Sequence, residues 1–373
     1  MTERIAVIGK EVKVMLGFRG ELLKELVTRG HTVYAFATDY TEESKQLIRS
    51  LGLIPISYRL NNYGLNPIAE LITIFQLWRR IKRLNITLTY CYFAKPVLYG
   101  TFAAWLARVP HRVAKIEGLG RPFTRYHKSK KLHFARQVQS LLFKWILPKA
   151  HELVLLNKDD WQDLKRICGN RLPNTVLLGG IGVCLEHFQQ SPVPTKPLVF
   201  SFIGRLLNEK GIRYFLSAAK RIKKDYPEVE FWVLGQADPV HGVSRQELNT
   251  FVNRNIIRYF GQVDNVADFL HKTSVFVMPS YYREGLPRSS QEALAVGRPI
   301  ITTDNPGCRE TVVNNENGLL VQPRDSDALI TAMQHCIDKP EYLQAMGDAS
   351  RRLAVKHFDV TQVNQRMLKV LGL

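Results

Sequence analysis

Residues 198–226 read LVFSFIGRLLNEKGIRYFLSAAKRIKKDY, and this stretch decides the fold class. The apolar run at 198–203 is typical of a buried strand, and a polar loop flanked by glycines follows it. Apolar residues at helical spacing predict a helix over 211–226, and the next apolar run, at 230–234, predicts another strand. This order is typical of a βαβ unit in a parallel sheet.

The same alternation extends through the rest of the chain. After residue 234 we expect strands at 257–260, 275–278 and 299–303 and helices at 245–253, 266–271, 287–296, 326–338 and 342–357. In the first half, a strand at 4–8, a helix at 18–29 and a strand at 31–38 form one unit, and a helix at 68–84 precedes the apolar run 86–92. The pattern predicts an α/β protein with two Rossmann-like parallel-sheet domains facing each other across a cleft.

The domain boundary is expected in the proline- and glutamine-rich stretch 189–197, whose composition is typical of a linker. The predicted domains are 1–190 and 191–354. A C-terminal helix at about 355–373 would pack back on the first domain.

Charge is divided unevenly over the 373 residues. The net charge is +19, of which +15 falls in residues 1–190 and +4 in residues 191–373, so the first domain should meet an anion. Five cysteines lack the spacing of a disulfide or zinc framework, which favours a reducing compartment. The first residues do not resemble a signal peptide, and no long uncharged apolar run is present. We therefore expect a cytoplasmic protein whose membrane contact is peripheral.

The stretch Arg121–Lys149 holds eight basic and no acidic residues, interleaved with aromatic and aliphatic ones. A basic helix with an apolar side suits the surface of an anionic bilayer, and the cluster at 79–83 can add to it. A solvated basic face above a core-facing stripe is the alternative. No nucleic-acid-binding motif accompanies the charge, so nucleic acid is not an expected partner.

Two loops at predicted strand ends carry the candidate chemistry. In the first loop, 204–211, Arg205 and Lys210 can neutralise a diphosphate, although a surface turn with two solvated cations fits the loop alone. In the second, 279–287, Glu284 precedes Glu292 by eight residues, and the helix start after Pro287 can face a phosphate. Carboxylates bind sugar hydroxyls, so the two loops together favour a nucleotide-sugar over two unrelated surface features.

On these residues the chain resembles glycosyltransferase family 4, the retaining class with the GT-B fold. The resemblance covers nearly the whole chain, and its motifs are GRLLNEKG (204–211), REGLPRSSQEALAVGRPIITTD (283–304), PGCRETV (306–312) and NGLLV (317–321). Weaker matches, Phe18-Arg19, EGLGRPFT (117–124) and GGIGVCLEHF (179–188), are similar to bacterial enzymes that build lipid-linked surface polysaccharides.

The resemblance implies that the first domain binds an acceptor and the second a nucleotide-sugar, and it implies roles for residues of the donor site. Arg205 and Lys210 would hold the donor diphosphate beside the backbone of Gly204. Glu292 would bind the ribose, and the base would lie near residues 261–265. Glu284 would contact the donor sugar, near the N–H groups of Gly285 and Leu286. No metal or other cofactor is implied.

The acceptor side departs from the family pattern. Glu117 stands where many members have a histidine, and it could position the acceptor or act as a base, or simply pair with Lys115 or Arg121. Arg19 could bind an acceptor diphosphate or be a cation at a helix start, in what remains of a glycine-rich loop, Gly17–Gly20. Asp325-Ser326-Asp327 spells a metal motif, but its place before an apolar-periodic stretch predicts a helix cap.

The sequence thus predicts a retaining glycosyltransferase. It would move a hexose or N-acetylhexosamine from a UDP-sugar to an undecaprenyl-diphosphate-linked saccharide in O-antigen or capsule synthesis, at the inner face of the plasma membrane. A nucleotide-sugar epimerase of the same fold and a non-catalytic anion-binding protein are the alternatives.

Overall fold

The computed structural model describes residues 2–61, 67–126 and 129–373. These residues form two compact units. The first comprises the described parts of Met1–Pro122, Lys128–Gly179 and Gln362–Leu373. The second comprises those of Phe123–His127 and Gly180–Thr361.

The first unit is built on a seven-stranded parallel sheet of order β3-β2-β1-β4-β5-β6-β7. Its strands are β1 (Arg4–Ile8), β2 (Thr32–Ala37), β3 (Ile54–Ser57), β4 (Leu88–Tyr92), β5 (His111–Ile116), β6 (Glu152–Leu155) and β7 (Asn174–Leu177). Its helices are α1 (Val12–Thr28), α2 (Glu42–Ser50), α3 (Pro67–Arg83), α4 (Ala94–Leu106), α5 (Lys130–Ile146) and α6 (Lys158–Cys168). Every residue of β4 is buried, as expected for a central strand covered on both faces.

The second unit has a six-stranded parallel sheet of order β10-β9-β8-β11-β12-β13. Its strands are β8 (Val199–Ile203), β9 (Glu230–Leu234), β10 (Arg258–Gly261), β11 (Val275–Met278), β12 (Ile300–Thr303) and β13 (Gly318–Val321). Its helices are α7 (Ile212–Asp225), α8 (Arg245–Val252), α9 (Val266–His271), α10 (Arg288–Val296), α11 (Ser326–Asp338) and α12 (Leu343–His357). The last helix, α13 (Val360–Leu371), belongs to the first unit from Gln362 onward. Two parallel sheets covered by helices confirm the predicted α/β fold.

A buried arginine ties the segment that precedes β8 to the rest of the second unit. Arg298 is fully buried in front of β12, and its guanidinium donates hydrogen bonds to oxygens of Ser191, Pro192, Thr273 and Val296. Burial lowers the pKa of Arg298 to about 10. Removal of this side chain would leave several buried carbonyl groups without donors.

Helix α1 starts earlier than the sequence predicts. The expected helix began at residue 18, whereas α1 begins at Val12, so the glycines of Gly17–Gly20 lie inside a helix and not in a loop. The start at Val12 is hard to predict because Glu11 occupies the N-cap position and makes no side-chain capping hydrogen bond. The sequence therefore lacks the usual Ser, Thr, Asp or Asn signal there.

Candidate active site

The two candidate donor loops of the second unit follow neighbouring strands. Loop 204–211 follows β8 and loop 279–287 follows β11, and these strands pair in parallel. The chain continues from β8 outward to β9 on one side, while β11 starts the other side of the sheet. This change of direction is the switch point at which open α/β sheets bind ligands beyond the carboxyl ends of their strands.

Main-chain contacts hold the two loops together. The carbonyl oxygen of Glu209 accepts hydrogen bonds from the N–H groups of Tyr281, at 2.9 Å, and Tyr282, at 3.0 Å. Gly211 has a φ of 87°, and a Cβ at this position would lie 2.1 Å from the carbonyl oxygen of Pro279. Only glycine fits such a close approach, so the glycine that ends the first loop lets the second loop lie against it.

This approach brings Lys210 and Glu284 into an ion pair. Lys210 Nζ lies 2.5 Å from Glu284 Oε1, and the two side chains are 13% and 9% exposed. The Ser280 hydroxyl donates a second hydrogen bond to the same carboxylate oxygen at 3.1 Å. Gly307 packs against Glu284 so closely that a Cβ would come within 2.7 Å of its Cβ. A largely dehydrated cation and carboxylate are thus fixed at the sheet edge.

Arg205 extends from the same loop into solvent. Its side chain is exposed and makes no ion pair or hydrogen bond to other described residues. The first turn of α10, after Pro287, likewise has no side-chain cap among the described residues. A free guanidinium and an uncapped helix N-terminus are both suited to binding an anion.

Glu292 pairs with a neighbour on its own helix. Arg288 Nε lies 3.0 Å from Glu292 Oε1, a contact between residues one turn apart. Burial raises the pKa of Glu292, although Arg288 partly opposes the shift. Arg288 is not among the site residues predicted from the sequence.

The first unit has its own buried polar cluster at the corresponding sheet edge. Arg19, on α1, and Lys115, at the end of β5, both contact the carboxylate of Glu117, Lys115 at 3.1 Å. The guanidinium of Arg19 lies over the ring of Tyr92, with its central carbon 3.5 Å from the ring centroid. Burial alone would raise the pKa of Glu117, but Arg19 and Lys115 lower it below the usual range.

This cluster limits what its members can bind directly. The side chains of Arg19, Lys115 and Glu117 are 2%, 4% and 6% exposed. For Glu117 the sequence left open a pair with Lys115 or with Arg121, and the pair with Lys115 is present. Arg19 is engaged with Glu117, so an acceptor role for it would require this pair to separate.

A contact that the sequence did not indicate supports the second donor loop. The hydroxyl of Thr124 accepts a hydrogen bond from the N–H of Arg283 at 3.0 Å, and the contact is buried within the second unit. Arg283 directly precedes Glu284. In the sequence, Thr124 is notable only as the last residue of the motif EGLGRPFT. Nothing there predicts a contact with Arg283, which lies 159 positions away.

The Asp-x-Asp sequence has the predicted structural role. Asp325 Oδ1 accepts the N–H of Ala328 at 2.9 Å and caps α11. Among the described residues, no group of three or more His, Cys, Asp or Glu side chains has an arrangement that could hold a metal ion. No helix in the described ranges is both long and apolar enough to cross a membrane.

Comparison with known protein families gives a match over the second unit. Residues 185–353 match the family model described as "Glycosyl transferases group 1". The match includes both donor loops.

Two curated relatives align with most of the chain. One is the N,N'-diacetylbacillosaminyl-diphospho-undecaprenol alpha-1,3-N-acetylgalactosaminyltransferase of Campylobacter jejuni, 26% identical over 95% of this chain and 94% of that protein. The other is the UDP-Gal:alpha-D-GlcNAc-diphosphoundecaprenol alpha-1,3-galactosyltransferase of Escherichia coli, 24% identical over 87% of this chain and 83% of that protein.

Solved structures share the fold over nearly the whole chain. The sucrose-phosphate synthase of Thermosynechococcus elongatus superposes with a TM-score of 0.78 at 19% identity, covering 99% of this chain and 98% of its own. The Anabaena protein HepE, solved in complex with UDP, superposes with a TM-score of 0.76 at 16% identity, covering 99% of both chains. At these identities the likeness concerns the fold.

Proposed function

We propose that this glycosyltransferase moves a hexose or N-acetylhexosamine from a UDP-sugar to an undecaprenyl-diphosphate-linked saccharide during assembly of a bacterial surface polysaccharide. The observation that carries the proposal is the Lys210–Glu284 pair at the switch point between β8 and β11. The names of both curated relatives, which describe transfer to sugars linked to undecaprenyl diphosphate, support the choice of acceptor. These names favour sugar transfer over epimerisation or non-catalytic anion binding as the function of this chain.

The donor diphosphate would bind at the edge formed by loops 204–211 and 279–287. Arg205 would reach one phosphate from solvent, and Lys210 would exchange part of its contact with Glu284 for a phosphate oxygen. The N-terminus of α10 would face the same charge. Fixed cations and dipoles of this kind stabilise the negative charge that develops on a leaving phosphate.

Glu284 would then be free to accept hydrogen bonds from hydroxyl groups of the donor sugar. Ser280 would keep one carboxylate oxygen oriented, as it does in the structure. Glu292 would bind the ribose hydroxyls, and the base would lie near residues 261–265. Those residues begin with the last residue of β10, which stands two strands from β8, or roughly 10 Å at the usual strand spacing.

We propose the retaining, metal-independent reaction of glycosyltransferase family 4. The bond between the anomeric carbon and the β-phosphate oxygen breaks while the acceptor hydroxyl attacks from the same face. The departing phosphate takes the acceptor proton, so no separate base is needed for this step. Arg205, Lys210 and the helix dipole supply the positive charge that a metal would otherwise provide.

The acceptor would bind to the first unit. Its lipid would remain in an anionic membrane at the cytoplasmic face, and the basic stretch Arg121–Lys149, of which Lys128 lies outside the described residues, would bind that surface. Glu117, held by Arg19 and Lys115, would help position the acceptor. The excess of positive charge in residues 1–190 supports this arrangement.

The experiment is a transfer assay with UDP-sugars and a polyprenyl-diphosphate-linked saccharide, analysed by mass spectrometry and by NMR of the new anomeric centre. We expect a product one sugar longer, with the donor's anomeric configuration, formed equally well in EDTA. Turnover of UDP-sugar to its epimer without acceptor would contradict the proposal, as would the absence of any product with every UDP-sugar.

A further inference from the structure

Helix α3 exposes a row of large apolar side chains. Leu71, Ile72 and Phe75 are 65%, 49% and 54% exposed. On the opposite side of the helix, Thr73 and Leu77 are buried where α3 packs on α4. Spacings of three and four residues place the exposed side chains on one side of the helix, so together they form a stripe. We call these three residues the α3 stripe.

The stripe continues into a cationic end. A surface groove at the C-terminal half of α3 is lined by Phe75, Trp78, Arg79, Lys82 and Arg83. Lys82 Nζ lies 5.6 Å from the centroid of the Trp78 ring, so its charge stays beside an aromatic face. The groove therefore combines apolar surface with three basic residues.

No acidic side chain of α3 offsets this charge at the surface. Glu70 is the one acidic residue of the helix, and it is buried and bound to Lys95 at 2.8 Å. The helix thus presents apolar groups followed by cations, with its acid turned inward. This distribution complements an apolar layer bordered by anions.

The neighbouring helices extend the same kind of surface. On α4, which packs beside α3, Trp105 is 42% exposed and has Lys149 Nζ 4.2 Å from its ring centroid. On α5, which packs beside α4, Leu141 and Trp145 are 57% and 63% exposed. Exposed apolar side chains of this size on three neighbouring helices are typical of an interaction site.

We propose that α3 inserts its stripe into the surface of an anionic phospholipid bilayer, with Arg79, Lys82 and Arg83 at the headgroup phosphates. The proposal deepens the membrane contact proposed above, because it makes α3, and not the basic stretch, the part that enters the lipid. A helix of this kind lies in the plane of the interface, with its apolar side among the acyl chains.

A second copy of this chain fits the surface less well. In a symmetric dimer the same patch meets itself, so the cations of both copies would border one interface, where α3 offers no exposed acidic side chain to pair with them. A bilayer containing anionic lipid supplies both the apolar layer and the counter-charge.

The test is co-sedimentation with vesicles of phosphatidylglycerol and phosphatidylcholine in equal parts, compared with pure phosphatidylcholine, over a range of salt. One variant replaces the stripe (Leu71→Ser, Ile72→Ser, Phe75→Ser) and one replaces the cations (Arg79→Gln, Lys82→Gln, Arg83→Gln). The control replaces three exposed valines of the second unit (Val240→Ser, Val313→Ser, Val355→Ser).

We expect the stripe variant to lose at least tenfold in vesicle affinity at every salt concentration. The cation variant should lose the part of the affinity that falls with salt, because screening acts on the charges and not on the apolar contact. The control should bind like the wild type. Wild-type affinity in the stripe variant would overturn the proposal, and so would a stripe-dependent dimer without vesicles.

Two further measurements separate this proposal from the proposed reaction. Thermal melting should be unchanged in the stripe variant, since the replaced side chains are exposed; if it is not, the single variant Phe75→Ser carries the test. With a short-chain acceptor in solution, the stripe variant should turn over like the wild type. Loss of that activity in a folded variant would place the stripe in the reaction and overturn its role as a membrane anchor.

Discussion

Replacing Lys210 with methionine should separate the structural role of the donor loop from its chemical one. Methionine keeps the length of the side chain and removes the charge, so the largely buried carboxylate of Glu284 loses its cation while the Ser280 hydroxyl still donates to it. We expect both the stability and the turnover of the enzyme to fall.

The sizes of the two effects follow from burial and contact. Removal of one partner from a buried ion pair costs about 3–5 kcal/mol, and the 13% exposure of Lys210 favours the lower end. Loss of one preorganised group that stabilises transition-state charge lowers kcat about 100- to 1,000-fold. The double variant Lys210→Met/Glu284→Gln should regain much of the stability, because no unpaired charge remains, but none of the turnover.

Urea unfolding and steady-state kinetics on the four proteins of this cycle measure both effects. Lys224→Met, at an exposed position of α7, is the matched control and should resemble the wild type in both assays. If turnover returns in the double variant together with stability, Lys210 acts only by holding the loop and does not stabilise the leaving phosphate.

Three further changes test other parts of the site. Glu117→Gln should lower the free energy of unfolding by about 3 kcal/mol at pH 7, because it leaves two buried cations unpaired. The pKa of the Glu117 carboxyl is lowered on folding, so the difference in unfolding free energy between wild type and variant, measured with urea, should shrink as pH falls below about 4.5. Thr124→Val should lower kcat about tenfold and speed hydrogen exchange at the Arg283 amide, because a buried N–H without an acceptor costs about 1–3 kcal/mol. Thr124→Ser keeps the hydroxyl and should behave like the wild type in both measurements. Equal behaviour of the two variants would show that the hydroxyl is not responsible for either effect. Gly307→Ala should weaken UDP binding in calorimetry, because the added Cβ would collide with Glu284. Unchanged affinity would show that the loop 279–287 can shift without loss of binding.

Much of the fold could be predicted because parallel sheets are strongly patterned. The runs at 198–203 and 275–278 are apolar without alternation, as strands buried on both faces must be, and they correspond to β8 and β11. Once both were recognised as strands of one parallel sheet, their following loops had to share an edge. Lys210 and Glu284 could therefore be placed in one site from the sequence.

The partners of the site residues could not be predicted in the same way. Arg288 pairs with Glu292 one helical turn away, but this spacing is common to many residue pairs on a helix and does not by itself identify the partner. Thr124 and Arg283 meet only through the tertiary fold. Glu117 illustrates the same limit, because the family resemblance marked its position whereas its burial against Arg19 depends on α1 starting at Val12.

The most direct test of the central claim compares the affinities of UDP and uridine by calorimetry. If Arg205 and Lys210 hold the diphosphate, the wild type should prefer UDP by about 100-fold or more, because each charge-assisted hydrogen bond contributes about 1.5–3 kcal/mol. In the variant Arg205→Gln/Lys210→Met the affinity for uridine should persist and the preference for UDP should nearly vanish. An unchanged preference for UDP in that variant would show that Arg205 and Lys210 do not hold the diphosphate.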